Sequence, residues 1–241
     1  MASILIIKTG STFPEIIPSL GDFEHWVLAC ASSLAVNCQV VDVVAGAPLP
    51  LAESCSGIIV TGSHAMVTDN FPWSVALEKW LADAVAQSIP VLGICYGHQL
   101  LAKALGGVID YHPKGPEIGC FSIDVTPAAS QDALFGQLPQ TFQAHLTHHQ
   151  SVITLPAGAV ILARNIFEPH QAFRVGRCAW GVQFHPEYST AIMTEYVERQ
   201  RAVLELEGFD CRERLRKISD TPIAQNVMRL FLDYCLRPTT V

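Results

Sequence analysis

The sequence predicts an α/β fold built on an open sheet that is mostly parallel at its centre, carries an antiparallel extension, is covered by helices on both faces and ends in a helical tail. Three observations carry this expectation. Short apolar runs such as Ile4-Leu5-Ile6-Ile7 and Val91-Leu92-Gly93-Ile94 lack polar alternation, the pattern of parallel strands buried on both faces. Segments with apolar residues at helical spacing lie between them. Past residue 108 the texture changes to a series of short strands, and past residue 190 it turns helical. With 241 residues, 50% hydrophobic and 15% charged, the chain can bury one large core. No internal repeat or low-complexity linker divides it, so we expect a single domain over residues 1–241 with a helical elaboration from about residue 190.

The run over residues 4–8 ends at Thr9-Gly10 and is a candidate central strand. Helical spacing over 22–34 and a β-branched run over 38–44 make the opening β-α-β. Residues 56–61 form the next strand, closed by Thr61-Gly62-Ser63. Trp73, Leu77, Trp80, Leu81 and Ala84 share one face of a helix over 73–87, which is read as packing on the sheet rather than as a ligand platform. The strand over 91–94 leads into a helix ended by Gly106-Gly107 as its C-cap. Residues 120–126, 141–147, 152–155, 160–163 and 171–175 read as strands of the mixed extension, and 179–184 as a strand leading into His185-Pro186-Glu187. Helices follow over 191–206 and, with Thr221 as N-cap and Pro222 at the first position, to about residue 236.

A formal net charge of −7 with scattered Lys and Arg argues against a nucleic-acid or anionic-membrane surface. No apolar run has the length of a membrane span, and the sequence enters its first strand without a basic leader, so a cytoplasmic location is expected. The eight cysteines are spread without a Cys-x-x-Cys pair and read as reduced, seven of them as small buried residues.

The eighth, Cys95, is different. In Gly93-Ile94-Cys95-Tyr96-Gly97, glycines stand two residues to either side of a nucleophile candidate between a strand and a helix, which is the pattern of a nucleophile elbow. The tight turn brings strand and helix backbones too close for a β-carbon at those two positions. A cysteine at a helix N-terminus sits where the dipole favours an anionic sulfur. It needs a base, and His185 is the candidate, with Glu187 two residues on and on the same side of an extended chain to hold its other ring nitrogen. A tetrahedral intermediate needs two donors, for which the N–H groups of Tyr96 and Gly62 are the candidates. His98, His145, His148 and His149 are read as structural, and His25, His64, His112 and His170 as loop or surface residues. No metal site is expected from the His145-x-x-His148-His149 group, which lacks carboxylate or Cys ligands at a suitable spacing.

Gly93-Ile94-Cys95-Tyr96-Gly97-His98-Gln99 and Gly181-Val182-Gln183-Phe184-His185-Pro186-Glu187 together resemble the nucleophile motif and the histidine–glutamate motif of the class I (triad-type) glutamine amidotransferases. The resemblance runs from Ile4 to the helix after Glu187 and is greatest to free-standing members related to the glutaminase domain of GMP synthase. It implies a flavodoxin-like fold, Cys95 as nucleophile, His185 as general base and acid, and Glu187 as its orienting partner. It further implies Gly62 and Tyr96 as the oxyanion hole, and Gln99, Gln150 and Ser151 as contacts for the substrate, glutamine or another γ-glutamyl compound. No cofactor is implied. The family's two-domain synthetases carry a glycine-rich phosphate loop that this sequence lacks, so a separate ammonia-accepting synthetase subunit is the expected partner. A γ-glutamyl peptide or amide hydrolase remains the close alternative. A silent regulatory subunit and an α/β-hydrolase are further ones; in the latter fold the acid precedes the histidine, whereas Glu187 follows His185.

Overall fold

The computed structural model describes residues 3–34 and 36–237. In chain order the first half comprises β1 (Ser3–Lys8), α1 (Ile17–Leu20), α2 (Phe23–Ala31), β2 (Asn37–Asp42), β3 (Gly57–Val60), α3 (Pro72–Ala86), β4 (Val91–Ile94), α4 (Tyr96–Ala104) and β5 (Val108–Tyr111). There follow β6 (Glu117–Val125), β7 (Thr141–His148), β8 (Gln150–Thr154), β9 (Val160–Arg164), β10 (Ala172–Val175), β11 (Ala179–Val182), α5 (Thr190–Leu206), α6 (Cys211–Lys217) and α7 (Pro222–Leu236).

Nine strands form one sheet in the order β2-β1-β3-β4-β11-β10-β9-β6-β7. The first five are parallel, the flavodoxin-like 2-1-3-4-5 arrangement with β11 in fifth place. The remaining four alternate antiparallel. The expected mixed sheet is therefore present, with one departure. The strand expected over 152–155 does not extend the main sheet; as β8 it begins at Gln150 and pairs with β5 in a separate antiparallel ribbon. β5, Val108-Ile109-Asp110-Tyr111, is too short to stand out in the sequence, and only its Ile109 is buried.

Period-2 alternation in the central strands feeds two cores. Ile4, Ile6, Ile59, Leu92 and Ile94 pack in one cluster with α2 and α7, while Leu5, Ile7, Ile58, Val60 and Val91 pack in the other with α3 and α4. Val227, Met228 and Phe231 of α7 are fully buried in the first cluster, so the last helix covers that face of the sheet. On α3, Leu77, Leu81 and Ala84 are buried and Trp73 and Trp80 pack at the margin, as the helical spacing implies. A third cluster, with Tyr188, Ile192, Tyr196 and Val197, seats α5 against Phe23 and Trp26 of α2. The short α6 escapes sequence reading because its seven residues are mostly charged; Asp210 caps it by accepting the Glu213 N–H at 2.9 Å. Of the cysteines read as buried, Cys30, Cys38 and Cys55 are only half-buried. No helix among the described residues is long and apolar enough to cross a membrane.

The elbow glycines meet the steric demand. A β-carbon on Gly93 would lie 2.3 Å from the Gly97 carbonyl oxygen, and one on Gly97 would lie 2.5 Å from the Val60 carbonyl oxygen. Both obstacles are backbone and cannot rotate away. Gly97→Ala should therefore lower stability by about 1–3 kcal/mol or more, read as a fall in the urea midpoint. An unchanged midpoint would show that β3 and α4 are not held at this separation.

Candidate active site

β4 delivers Cys95 at the carboxyl edge of the sheet, where open α/β folds bind ligands. The residue has φ 50° and ψ −100°, a backbone conformation that an L-residue adopts only under constraint. The constraint comes from both neighbours of β4: Gly93 pairs with Val60 of β3 and with Gly181 of β11, and the Cys95 N–H donates to the Val182 carbonyl at 2.9 Å. The turn lets α4 begin at once. Its first N–H, that of Tyr96, has no intrahelical acceptor. Cys95 is 7% exposed, and its thiol donates to the Thr147 carbonyl at 3.7 Å.

Because β11 lies beside β4, His185 reaches Cys95 from a position far along the chain. His185 Nδ1 donates to Glu187 Oε1 at 2.8 Å, both side chains being almost wholly buried. An ionised carboxylate only accepts, so the Nδ1 proton is fixed and Nε2 is left for chemistry. Among the described residues Nε2 has no hydrogen-bond partner. Burial by itself lowers the proton affinity of this imidazole, but the Glu187 carboxylate and then the nearby Cys95 sulfur more than offset it and raise the pKa above the usual imidazole value. Tyr188 stacks on the ring, with centroids 3.9 Å apart.

The other residues named from the sequence divide. Gln99 lines the same cavity as Cys95 and His185, but its amide nitrogen is committed to the Gln150 carbonyl at 2.6 Å and to Gln183 Oε1 at 2.9 Å. The Gln150 side chain turns to Thr68 Oγ1 at 2.6 Å. Ser151 is buried in β8 and does not line the cavity. Gly62 packs against the His185 ring, where a β-carbon would lie 3.1 Å from Cε1, and its carbonyl accepts from Thr9 and Thr61 hydroxyls. It is the next residue, Ser63, that lines the cavity. Neither the Gly62 nor the Ser63 N–H has a backbone acceptor among the described residues.

The cavity measures about 250 Å³. Its lining includes Phe13, His64, Tyr188 and Tyr196, none of which carries a sequence signal for this role, since they come from two loops, the residue after the triad motif and α5. His64, read as a loop or surface residue, is on a loop but faces the site. His112, read the same way, is buried and stacked on Phe167 at 4.0 Å. His98 is fully enclosed beneath the elbow, where burial pushes its pKa down to about 3, so it stays neutral. His145, His148 and His149 diverge: the first meets the Ser219 carbonyl, the second meets Glu117, and the third lines the cavity. Among the described residues no cluster of three or more His, Cys, Asp or Glu side chains is arranged to hold a metal ion.

Glu117 anchors the segment that carries the polar wall. Its carboxylate meets His148 Nε2 at 3.1 Å and accepts from Asn165 Nδ2 and Gln171 Nε2, while His148 Nδ1 faces the Gln150 carbonyl at 3.0 Å. The backbone from Thr147 to Gln150 is thereby tied both to α4, through Gln99, and to β6.

The family pattern described as glutamine amidotransferase class-I matches residues 16–202. The chain is similar to a glutamine-hydrolysing GMP synthase from Aeropyrum pernix, 32% identical over 171 residues, which are 69% of this chain and 31% of that protein. It is also similar to gamma-glutamyl peptidase 5 of Arabidopsis thaliana, 31% identical over 149 residues, 61% of this chain and 59% of the peptidase. The chain thus matches less than a third of the synthase and about three-fifths of the peptidase. The fold is similar to that of a solved glutamine amidotransferase from Thermotoga maritima, with a TM-score of 0.78 at 22% identity over 98% of this chain and 99% of that one.

The raised pKa of His185 makes stability depend on pH. The folded chain binds this proton more tightly than the unfolded one, so the stabilisation is complete below the ordinary value of 6.5 and is lost as pH rises above it toward the folded value. Removing the group in His185→Asn should leave a stability difference from wild type that narrows between pH 6.5 and about pH 10, measured from urea midpoints. A difference that widens with pH contradicts the assignment of a retained proton.

Proposed function

Because the chain belongs to the class-I glutamine amidotransferase family, we propose that it hydrolyses the side-chain amide of glutamine through a thioester on Cys95, giving glutamate and ammonia. The observation that carries this reading is the 2.8 Å His185–Glu187 bond beside a cysteine held at φ 50°. The Cys95 sulfur attacks the amide carbon, an S–C bond forms, and the carbonyl electrons move onto oxygen. When the tetrahedral species collapses, the C–N bond breaks and the imidazolium of His185 gives its proton to the departing nitrogen. Water then attacks the γ-glutamyl thioester, His185 takes a proton from it, and the sulfur leaves.

Both steps pass through an oxyanion. The Tyr96 N–H and the Gly62–Ser63 loop supply its donors in this reading, each worth about 2.7–4 kcal/mol at the transition state. The amino-acid end of the substrate lies against Gln99 and the backbone of Gln150, a segment stiffened by the Glu117–His148 pair, while Ser151 stands behind that wall. The steps above call on no cofactor, and in this reading the ammonia passes to an ammonia-accepting synthetase. The eight free thiols suit a reducing, cytoplasmic setting. A γ-glutamyl amide with a substituted nitrogen would form the same thioester and differ only in its leaving group; the aromatic side of the cavity, next to His185, favours including such substrates.

Cys95→Ser should reduce the release of glutamate and ammonia from glutamine by about three orders of magnitude or more, with the far-ultraviolet circular dichroism unchanged. Equal rates in wild type and variant would falsify the nucleophile assignment.

A further inference from the structure

The cavity has two unlike halves. On one side of Cys95 lie Gln99, Thr147, His149 and Gln150, a wall of side-chain and backbone polar groups. On the His185 side, together with Gln200 of α5, lie the rings of Tyr188, Tyr196, Phe13 and His64. These form a continuous aromatic surface: Tyr188 stacks on His185, the Tyr188 and Tyr196 centroids are 5.1 Å apart, Phe13 is 5.1 Å from Tyr196, and Phe13 is 4.6 Å from His64. Among the described residues no Lys, Arg, Asp or Glu lines either half.

We infer that the aromatic half is a subsite for the amine leaving the γ-glutamyl group, and that it takes apolar or aromatic amines in preference to amino acids. This rests on the thioester reading above. The acid that protonates the departing nitrogen is His185, so the leaving group must lie on the His185 side, and the γ-glutamyl chain is left the polar side. An amide that loses only ammonia needs no aromatic wall there. The two halves together measure about 250 Å³, against about 150 Å³ for a cavity that holds a benzene. An amino-acid leaving group would bring a carboxylate into a surface with no Lys or Arg to meet it, an unpaired charge that is costly to desolvate.

The wall is held in shape by bonds that have no part in the triad. The Tyr196 hydroxyl bonds to Thr12 Oγ1 at 2.7 Å and to His64 Nε2 at 3.0 Å, joining α5 to the loops after β1 and β3. Asp22 fixes the loop that carries Phe13 by accepting the Thr12 and Phe23 N–H groups, each at 2.8 Å, and the Lys8 ammonium at 2.8 Å. His64 is an apolar-side partner in charge as well as in position, since burial among these rings lowers its pKa and keeps it neutral.

In the forward direction the C–N bond of a γ-glutamyl amide breaks, the S–C bond to Cys95 forms, and His185 donates the proton that the free amine carries away. In reverse, an amine bound in the subsite attacks the thioester carbon, gives a proton to His185, and expels the sulfur to regenerate the amide.

The test compares kcat/KM for γ-glutamyl-phenethylamide, γ-glutamyl-ethylamide and γ-glutamyl-phenylalanine, with glutamine alongside. The phenethylamide should exceed the ethylamide, which lacks the ring, by about tenfold or more. It should likewise exceed γ-glutamyl-phenylalanine, which adds only a carboxylate, by about tenfold or more. Phe13→Ala should lower the ratio of phenethylamide to ethylamide turnover by about tenfold. Glutamine turnover with no advantage for the ring overturns the subsite and leaves the glutamine reading standing; absence of Cys95-dependent turnover of all four overturns both. A readout independent of turnover is alkylation of Cys95 by iodoacetamide: the uncharged 2-phenylethanol should slow it at concentrations where ethanol does not, and equal protection by the two alcohols overturns the subsite.

Discussion

A backbone turn that an ordinary residue would refuse sits at the centre of this molecule. Cys95 at φ 50° and ψ −100° is held there by strand pairing on both sides of β4 and by two glycines that permit backbone-to-backbone contact. The strain, of order 1–3 kcal/mol for such a conformation, is small against the fully buried core of two sheet faces that surrounds it. What it achieves is placement. The sulfur stands at the amino end of α4, with the first N–H of that helix beside it, and faces the strand end that carries His185. The same crowding explains Gly181, where a β-carbon would lie 2.7 Å from the buried ring of His98.

Around this turn the site is divided by chemistry rather than by domain. The polar wall depends on Glu117, a carboxylate 2% exposed that receives three side-chain donors. Buried charge is tolerated only when so satisfied, and loss of one partner leaves the others unpaired. The opposite wall is aromatic and is tied together through the Tyr196 hydroxyl. α5 supplies Tyr196 and Gln200 to the cavity, four residues apart on one helical face, so the segment beyond the triad motif shapes the site as well as the sheet's surroundings.

The elbow and the His185–Glu187 pair were legible in the sequence because each is a local rule: small residues two either side of a nucleophile, and two side chains two apart on an extended segment. The central parallel strands β1, β3, β4 and β11 were legible because a strand covered on both faces has few polar positions, whereas β2, at the edge, was legible only by its β-branched run. The β5–β8 ribbon was not, since β5 buries a single residue, and neither was α6, which has no apolar period. Nor could the aromatic wall be read, because Phe13, His64, Tyr188 and Tyr196 lie in four separate segments joined only by tertiary packing.

The central claim is that one thiol out of eight, Cys95, carries the reaction because of where the fold sets it. The most direct test is to treat the protein with a chloromethyl ketone analogue of glutamine and map the modified residue by peptide mass spectrometry, with and without excess glutamine. The account predicts modification at Cys95 alone, slowed by glutamine and accompanied by loss of glutamate release in proportion to labelling. Label distributed among Cys30, Cys38, Cys55 and Cys95, or full modification of Cys95 with activity retained, would contradict it.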